Sequence, residues 1–111
     1  MIHIKFDRNK DGTIHMFTMS GHADAGPHGQ DLVCAGASAV SFGTVNAIAA
    51  ICNTELDVEL LDDGGFLRCR VPEKLDDETY NNVQLLLEGM LVSMQTMEEQ
   101  YRQFIHIESK L

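Results

Sequence analysis

With 111 residues, 44% of them hydrophobic, the chain has the length and apolar content of one domain with one core, and no charge run or Pro/Ser-rich stretch divides residues 1–111 into two. Seventeen acidic against eight basic residues, a formal charge of −9, argue against gripping nucleic acid through its phosphates and suit a basic partner, although the same charge also serves plain solubility. Three widely spaced cysteines, Cys34, Cys52 and Cys69, make no disulfide framework and fit a cytoplasmic compartment, while no uninterrupted apolar run approaches the roughly 18 residues of a bilayer span, so no membrane partner is expected.

Ile2, Ile4 and Phe6 alternate with polar neighbours, Asn9-Lys10-Asp11-Gly12 carries turn chemistry, and a β-rich stretch follows from Thr13 to Met19. This predicts a hairpin. Residues 20–33 hold three glycines and a proline, follow neither period, and read as a loop. From Cys34 to Cys52 the composition turns to small and aliphatic residues, with Val40, Thr44, Ala47 and Ile51 on one face, predicting a close-packed, largely buried helix. Leu56, Val58 and Leu60, then Leu67, Cys69 and Val71 beyond Asp62-Asp63-Gly64-Gly65, predict a second hairpin with one dry face.

Pro72 ends that hairpin and Asp76 or Asp77 can cap the next element. Tyr80, Val83, Leu87, Met90, Met94, Met97, Tyr101 and Phe104 recur at spacings of three and four, the pattern of a long amphipathic helix. Leu86 and Leu91 widen the stripe beyond a coiled-coil seam, which favours packing on a sheet while leaving surface for a dimer. Phe104 to Ile107 alternates again and reads either as a short strand or as a frayed helix end. The predicted fold class is α+β: an antiparallel sheet of two hairpins with two helices packed on one face, in the order ββαββα, with a short C-terminal strand as an option.

The chemistry gathers where the glycine-rich loop passes into the first helix. Cys34 stands at that helix start, where unpaired N–H groups and the helix dipole favour a thiolate. His22 lies twelve residues upstream, and the intervening segment is long enough to fold back and bring imidazole and thiol together as a dyad. Asp31 can orient that imidazole or cap the Cys34 helix, and Ser38, one turn after Cys34, can face the site or bond back to its own helix; both choices stay open. Gly21, Gly26 and Gly29 can act as hinges of a closing loop or simply satisfy turns. Backbone N–H groups at the helix start are candidates for an oxyanion hole.

His22, His28 and Cys34 with Asp24 or Asp31 also offer zinc ligands, but their spacings match no compact Cys/His signature, and no metal or cofactor is expected. A phosphate loop is disfavoured by two aspartates and the lack of a Gly-Lys-Ser/Thr ending. Cys52 and Cys69 read as apolar packers, and His3, His15 and His106 as surface or half-buried structural residues.

The combination of Gly21-His22-Ala23, then Gly29-Gln30-Asp31 and Val33-Cys34-Ala35-Gly36-Ala37-Ser38, closely resembles the ribosomal-processing cysteine protease family called Prp. The likeness runs on through Ser41-Phe42-Gly43-Thr44-Val45-Asn46-Ala47-Ile48, and again from Met90 to Glu99, so that it covers nearly the whole chain. The resemblance implies a cysteine endopeptidase with Cys34 as nucleophile and His22 as general base and acid, the family's acid and hydroxyl falling on Asp31 and Ser38. It further implies a mobile loop between His22 and Cys34, a homodimer, and as substrate the N-terminal extension of a bacterial large-subunit ribosomal protein. His28, Cys52 and Cys69 stand outside the family's signature; His28 would compete as a base, and the motif favours His22. The alternative is a non-catalytic ribosome-assembly module that holds a basic protein tail, distinguished by binding without turnover.

Overall fold

The computed structural model describes residues 1–22, 31–61 and 65–110. Its elements run β1 (Ile2–Arg8), β2 (Ile14–Ser20), α1 (Leu32–Cys52), β3 (Asp57–Leu60), β4 (Phe66–Arg70), α2 (Asp77–Gln100) and β5 (Ile105–Lys110). The five strands form one sheet in the order β3-β4-β2-β1-β5. Both hairpins of the ββαββα order are antiparallel, and β2 joins them by pairing with β4. The ambiguous C-terminal segment is a strand, and it pairs parallel with β1, which makes the sheet mixed.

The first hairpin closes through Asn9 N–H to the Thr13 carbonyl, 2.7 Å, and Gly12 N–H to the Asn9 carbonyl, 2.9 Å, with Gly12 at φ +90, where a side chain would be strained. The register slips between Asp7 and Arg8, which pair with Met16 and Ile14, so that His15 is an extra residue in β2. That bulge lets Ile14, Phe17 and Met19 share the covered face despite their uneven spacing. Ile2, Ile4, Phe6, Ile14, Phe17, Leu67, Cys69 and Ile105 are buried there, while His3, Lys5 and His106 lie on the open face.

α2 follows its predicted pattern. Asp76 caps it by accepting from Thr79 N–H at 2.7 Å, Asp77 and Glu78 put negative charge at its positive end, and Val83, Leu87, Met90, Leu91 and Met94 are buried. It ends at Gln100 rather than Phe104, because Tyr101 leaves helical geometry and its carbonyl receives the N–H groups of Phe104 and Ile105 in a turn that starts β5.

Two packing expectations need correction. The inward face of α1 is Val33, Ala37, Ser41 and Ile48, with Val40, Thr44 and Ala47 only half-buried and Ile51 71% exposed. A helix apolar almost all round carries no period from which to choose its face. Ser41 is tolerated inside because its hydroxyl donates to the Ala37 carbonyl at 2.8 Å. At 21 residues and a mean hydropathy of 1.6, α1 also meets the length and composition of a membrane span, and with only 22% of that apolar window buried it is not the largely buried helix expected: this one stripe docks into the core. The second hairpin is dry only in β4: Val58 and Leu60 of β3 are 40% and 54% exposed, because β3 is the outermost strand and the helical layer does not reach over it. Its turn residues Asp62, Asp63 and Gly64 lie outside the described residues.

Candidate active site

β2 delivers His22 to the edge of the domain. At Gly21 the backbone turns to φ +87, the Gly21 N–H donates to the Gly65 carbonyl at 2.9 Å, and a Cβ would collide with the Met1 carbonyl oxygen. Glycine is therefore required sterically, whether or not the segment beyond it moves. His22 follows, exposed.

α1 delivers Cys34 in its first turn, half-buried and packed against the core cluster. Asp31 is the cap: its backbone is extended, at φ −80 and ψ 100, and its Oδ1 accepts from Val33 N–H at 3.1 Å and Cys34 N–H at 3.0 Å. The Asp31 carbonyl also accepts from Ala35 N–H at 3.1 Å. These three N–H groups are thus engaged by Asp31 in the cap and first turn. Ser38 is half-buried one turn further on.

Packing brings the two candidate residues, Cys34 and His22, toward the same end of the domain. The Ser41 hydroxyl lies 4.0 Å from the Met19 sulfur, fixing α1 over β2. From that contact Cys34 lies seven residues back along α1, a run of about 10 Å, and β2 ends one residue on, at Ser20, before the turn at Gly21. At this end Gly36 meets Met97, where a Cβ would approach the Met97 methyl to 3.1 Å, and Phe104 accepts from Ile2 N–H at 2.8 Å beside Met1 and Gly21. The neighbours of Gly21 and Gly36, the Met1 carbonyl and Met97, are not legible from sequence, since both arrive by packing of distant segments.

Gly26, Gly29, Asp24 and His28 lie outside the described residues. Among the described residues no three His, Cys, Asp or Glu side chains gather as a metal site. Cys52 is half-buried and Cys69 buried, and burial, aided by the Asp57 charge, pushes the Cys69 thiol up to about 12. A thiol so held stays protonated and is a poor nucleophile at neutral pH.

This two-layer α+β domain, with a thiol at a capped helix start, has relatives among known proteins. Residues 1–106 match the family described as Cysteine protease Prp. The chain is a cysteine protease. A relative from Bacillus subtilis (strain 168), called ribosomal processing cysteine protease Prp, is 41% identical over 111 residues, all of this chain and 99% of that protein. The crystal structure of an essential ribosomal processing protease Prp from S. aureus, in complex with a covalently linked product peptide, superposes with a TM-score of 0.89 at 43% identity, covering 99% of this chain and all of that one. The same protease in complex with a substrate peptide gives 0.83 at 41% identity, again over 99% of this chain and all of that one. The chain belongs to the Prp family of cysteine proteases.

Proposed function

We propose that this protease removes the N-terminal extension of a bacterial large-subunit ribosomal protein, with Cys34 as nucleophile and His22 as general base and acid. The observation that carries the reading is the position of Cys34: the first turn of α1, half-buried, at the same end as His22. Cys52 and Cys69 have no such setting, and Cys69 is held protonated by burial. The ribosomal substrate is supported by the description of relatives that match end to end as ribosomal processing proteases. A net charge of −9 suits a basic substrate of that kind.

The Cys34 thiolate attacks the scissile carbonyl carbon, and the tetrahedral intermediate collapses with cleavage of the C–N bond as His22 gives its proton to the departing amine. Water then attacks the thioester while His22 takes a proton from it, the C–S bond breaks, and the peptide leaves as a carboxylic acid with the thiolate restored. Asp31 holds the start of α1 and with it the position of Cys34, and Ser38 is a supporting candidate on the same helix. Gly21, Gly26 and Gly29 serve the loop between the two functional residues.

Cytoplasmic residence is part of this proposal, supported by three cysteines with no disulfide between them. So is a homodimer, for which the outward side of α1 is suited: Leu32 and Phe42 are exposed on it at helical spacing with Ala35 and Ala39 between them. The deciding measurement is mass spectrometry of the extended ribosomal protein incubated with wild type and with Cys34→Ala under reducing conditions. A defined N-terminal loss with wild type alone is expected; loss with Cys34→Ala, or none with either, overturns the assignment.

A further inference from the structure

We propose that the outer edge of β3 is a docking strand for the peptide substrate, which adds to the sheet as a sixth, extended strand with apolar and basic side chains in alternation. The inference rests on the proteolytic reading above and concerns how that substrate is held at a distance from the cut.

β3 is an edge strand, and all of its side chains are exposed. Leu61 N–H donates to the Phe66 carbonyl at 3.3 Å, and the register pairs Leu60 with Leu67, Glu59 with Arg68 and Val58 with Cys69. In an antiparallel ladder, residues alternate between pointing their N–H and C=O at the partner strand and pointing them away. Since Leu61 points inward, so do Glu59 and Asp57, and the backbone groups of Val58 and Leu60 face outward. Those outward groups are the donors and acceptors an added strand would use.

The side chains define what that strand carries. Val58 and Leu60 stand on the helix side of the sheet, continuing the row of Cys69 and Leu67 beyond the reach of the helices, with Leu61 also 56% exposed. Asp57 and Glu59 stand on the open side, where they line a cavity of about 350 Å³ with Val58, Arg68 and Arg70. An extended segment lying outside β3 thus meets apolar surface on one face and carboxylates on the other, the complement of a strand whose residues alternate apolar and basic. Arg68 neutralises Glu59 only loosely, at 3.8 Å with both side chains exposed.

The same acidic row disfavours a second copy as occupant. Two β3 strands paired antiparallel with their helices on the same side would set Asp57 and Glu59 against their own counterparts, and like charges directly opposite are destabilising.

The edge also lies at the correct end of the sheet. Leu61 bonds to Phe66, which pairs with Ser20, two residues before His22. An added strand is three strand spacings from β2, about 14 Å, a gap that about four extended residues span. The docked segment therefore begins roughly four residues from the scissile bond.

The test compares peptides that extend about ten residues on each side of the cut with peptides trimmed to about three, on wild type and on Val58→Pro and Leu60→Pro, with folding checked by circular dichroism. Proline at these positions removes an outward N–H and spares the ladder to β4. The expected result is that the long peptide's advantage in kcat/KM over the short one falls about tenfold through KM. An advantage that persists in a folded variant overturns the proposal.

A second readout that needs no proline variant is amide exchange on Cys34→Ala titrated with a ten-residue peptide of alternating leucine and lysine. Slowed exchange at Val58 and Leu60 is expected, and no slowing overturns the docking strand. If wild type cleaves neither substrate peptide, the proteolytic assignment fails while this exchange measurement still judges the edge. Slowing at Val58 and Leu60 that depends on protein concentration without peptide would assign the edge to a second copy and overturn the proposal.

Discussion

Gly21 shows how much a single position can set. Its φ of +87 and its contact with the Met1 carbonyl leave no space for a methyl group, so Gly21→Ala must shift either the N-terminus or the course of the chain into His22. The expected cost is about 1–3 kcal/mol in urea unfolding, with a loss of cleavage greater than the loss of folded protein. Cys69 makes the opposite case, a reactive atom made inert by its surroundings. With its thiol pushed up to about 12 by burial, it should resist iodoacetamide in the native protein at pH 8 and react only on unfolding, which peptide mapping by mass spectrometry would read. Both residues were visible in the sequence as a loop glycine and a strand cysteine. What makes one indispensable and the other silent is the packing of segments far away in the chain.

Among the elements, α2 was legible in nearly full detail because polar residues interrupt its apolar stripe, and β1 because alternation leaves one choice of face. α1 was legible as a helix but not in its orientation. The structure puts Ile48 wholly inside and leaves Ile51 mostly in solvent, so Ile48→Ala should cost about 2–4 kcal/mol in thermal or urea unfolding and Ile51→Ala less than about 0.5. Equal costs would restore the face read from Val40, Thr44, Ala47 and Ile51. β3 has the alternation of a half-buried strand, yet its apolar side chains are exposed. Alternation reports what a strand could cover, whereas the helical layer decides what is covered.

At the scale of the whole molecule, two side-chain links tie α2 to the first hairpin. Gln84, buried, accepts from the Ile14 N–H and donates to the Ile14 carbonyl, both at 2.7 Å, satisfying backbone groups where the bulge interrupts the ladder. Gln84→Leu strands both groups and should cost about 2–3 kcal/mol, measured by urea unfolding. Arg8 grips Glu88 through two bonds of 2.6 and 2.9 Å, and that hydrogen bonding holds the Glu88 carboxyl below its ordinary range. A carboxyl lowered in the folded state stabilises above its unfolded pKa, near 4.3, and loses that contribution as pH falls through the folded value. Glu88→Gln should therefore flatten part of the acid limb of the stability profile, by at most about 1 kcal/mol because the pair is substantially exposed. The sequence by itself determined the order of the first six elements and the single core, and offered Asp31 and Asp76 or Asp77 as caps, because periodicity, capping and turn chemistry act over a few neighbouring residues; the cysteine and histidine that the proposed mechanism uses it singled out through the family resemblance. Only the tertiary structure decided the parallel β5, the inward face of α1, the engagement of its first N–H groups by Asp31, and the bare edge of β3, because each depends on which surfaces distant segments cover.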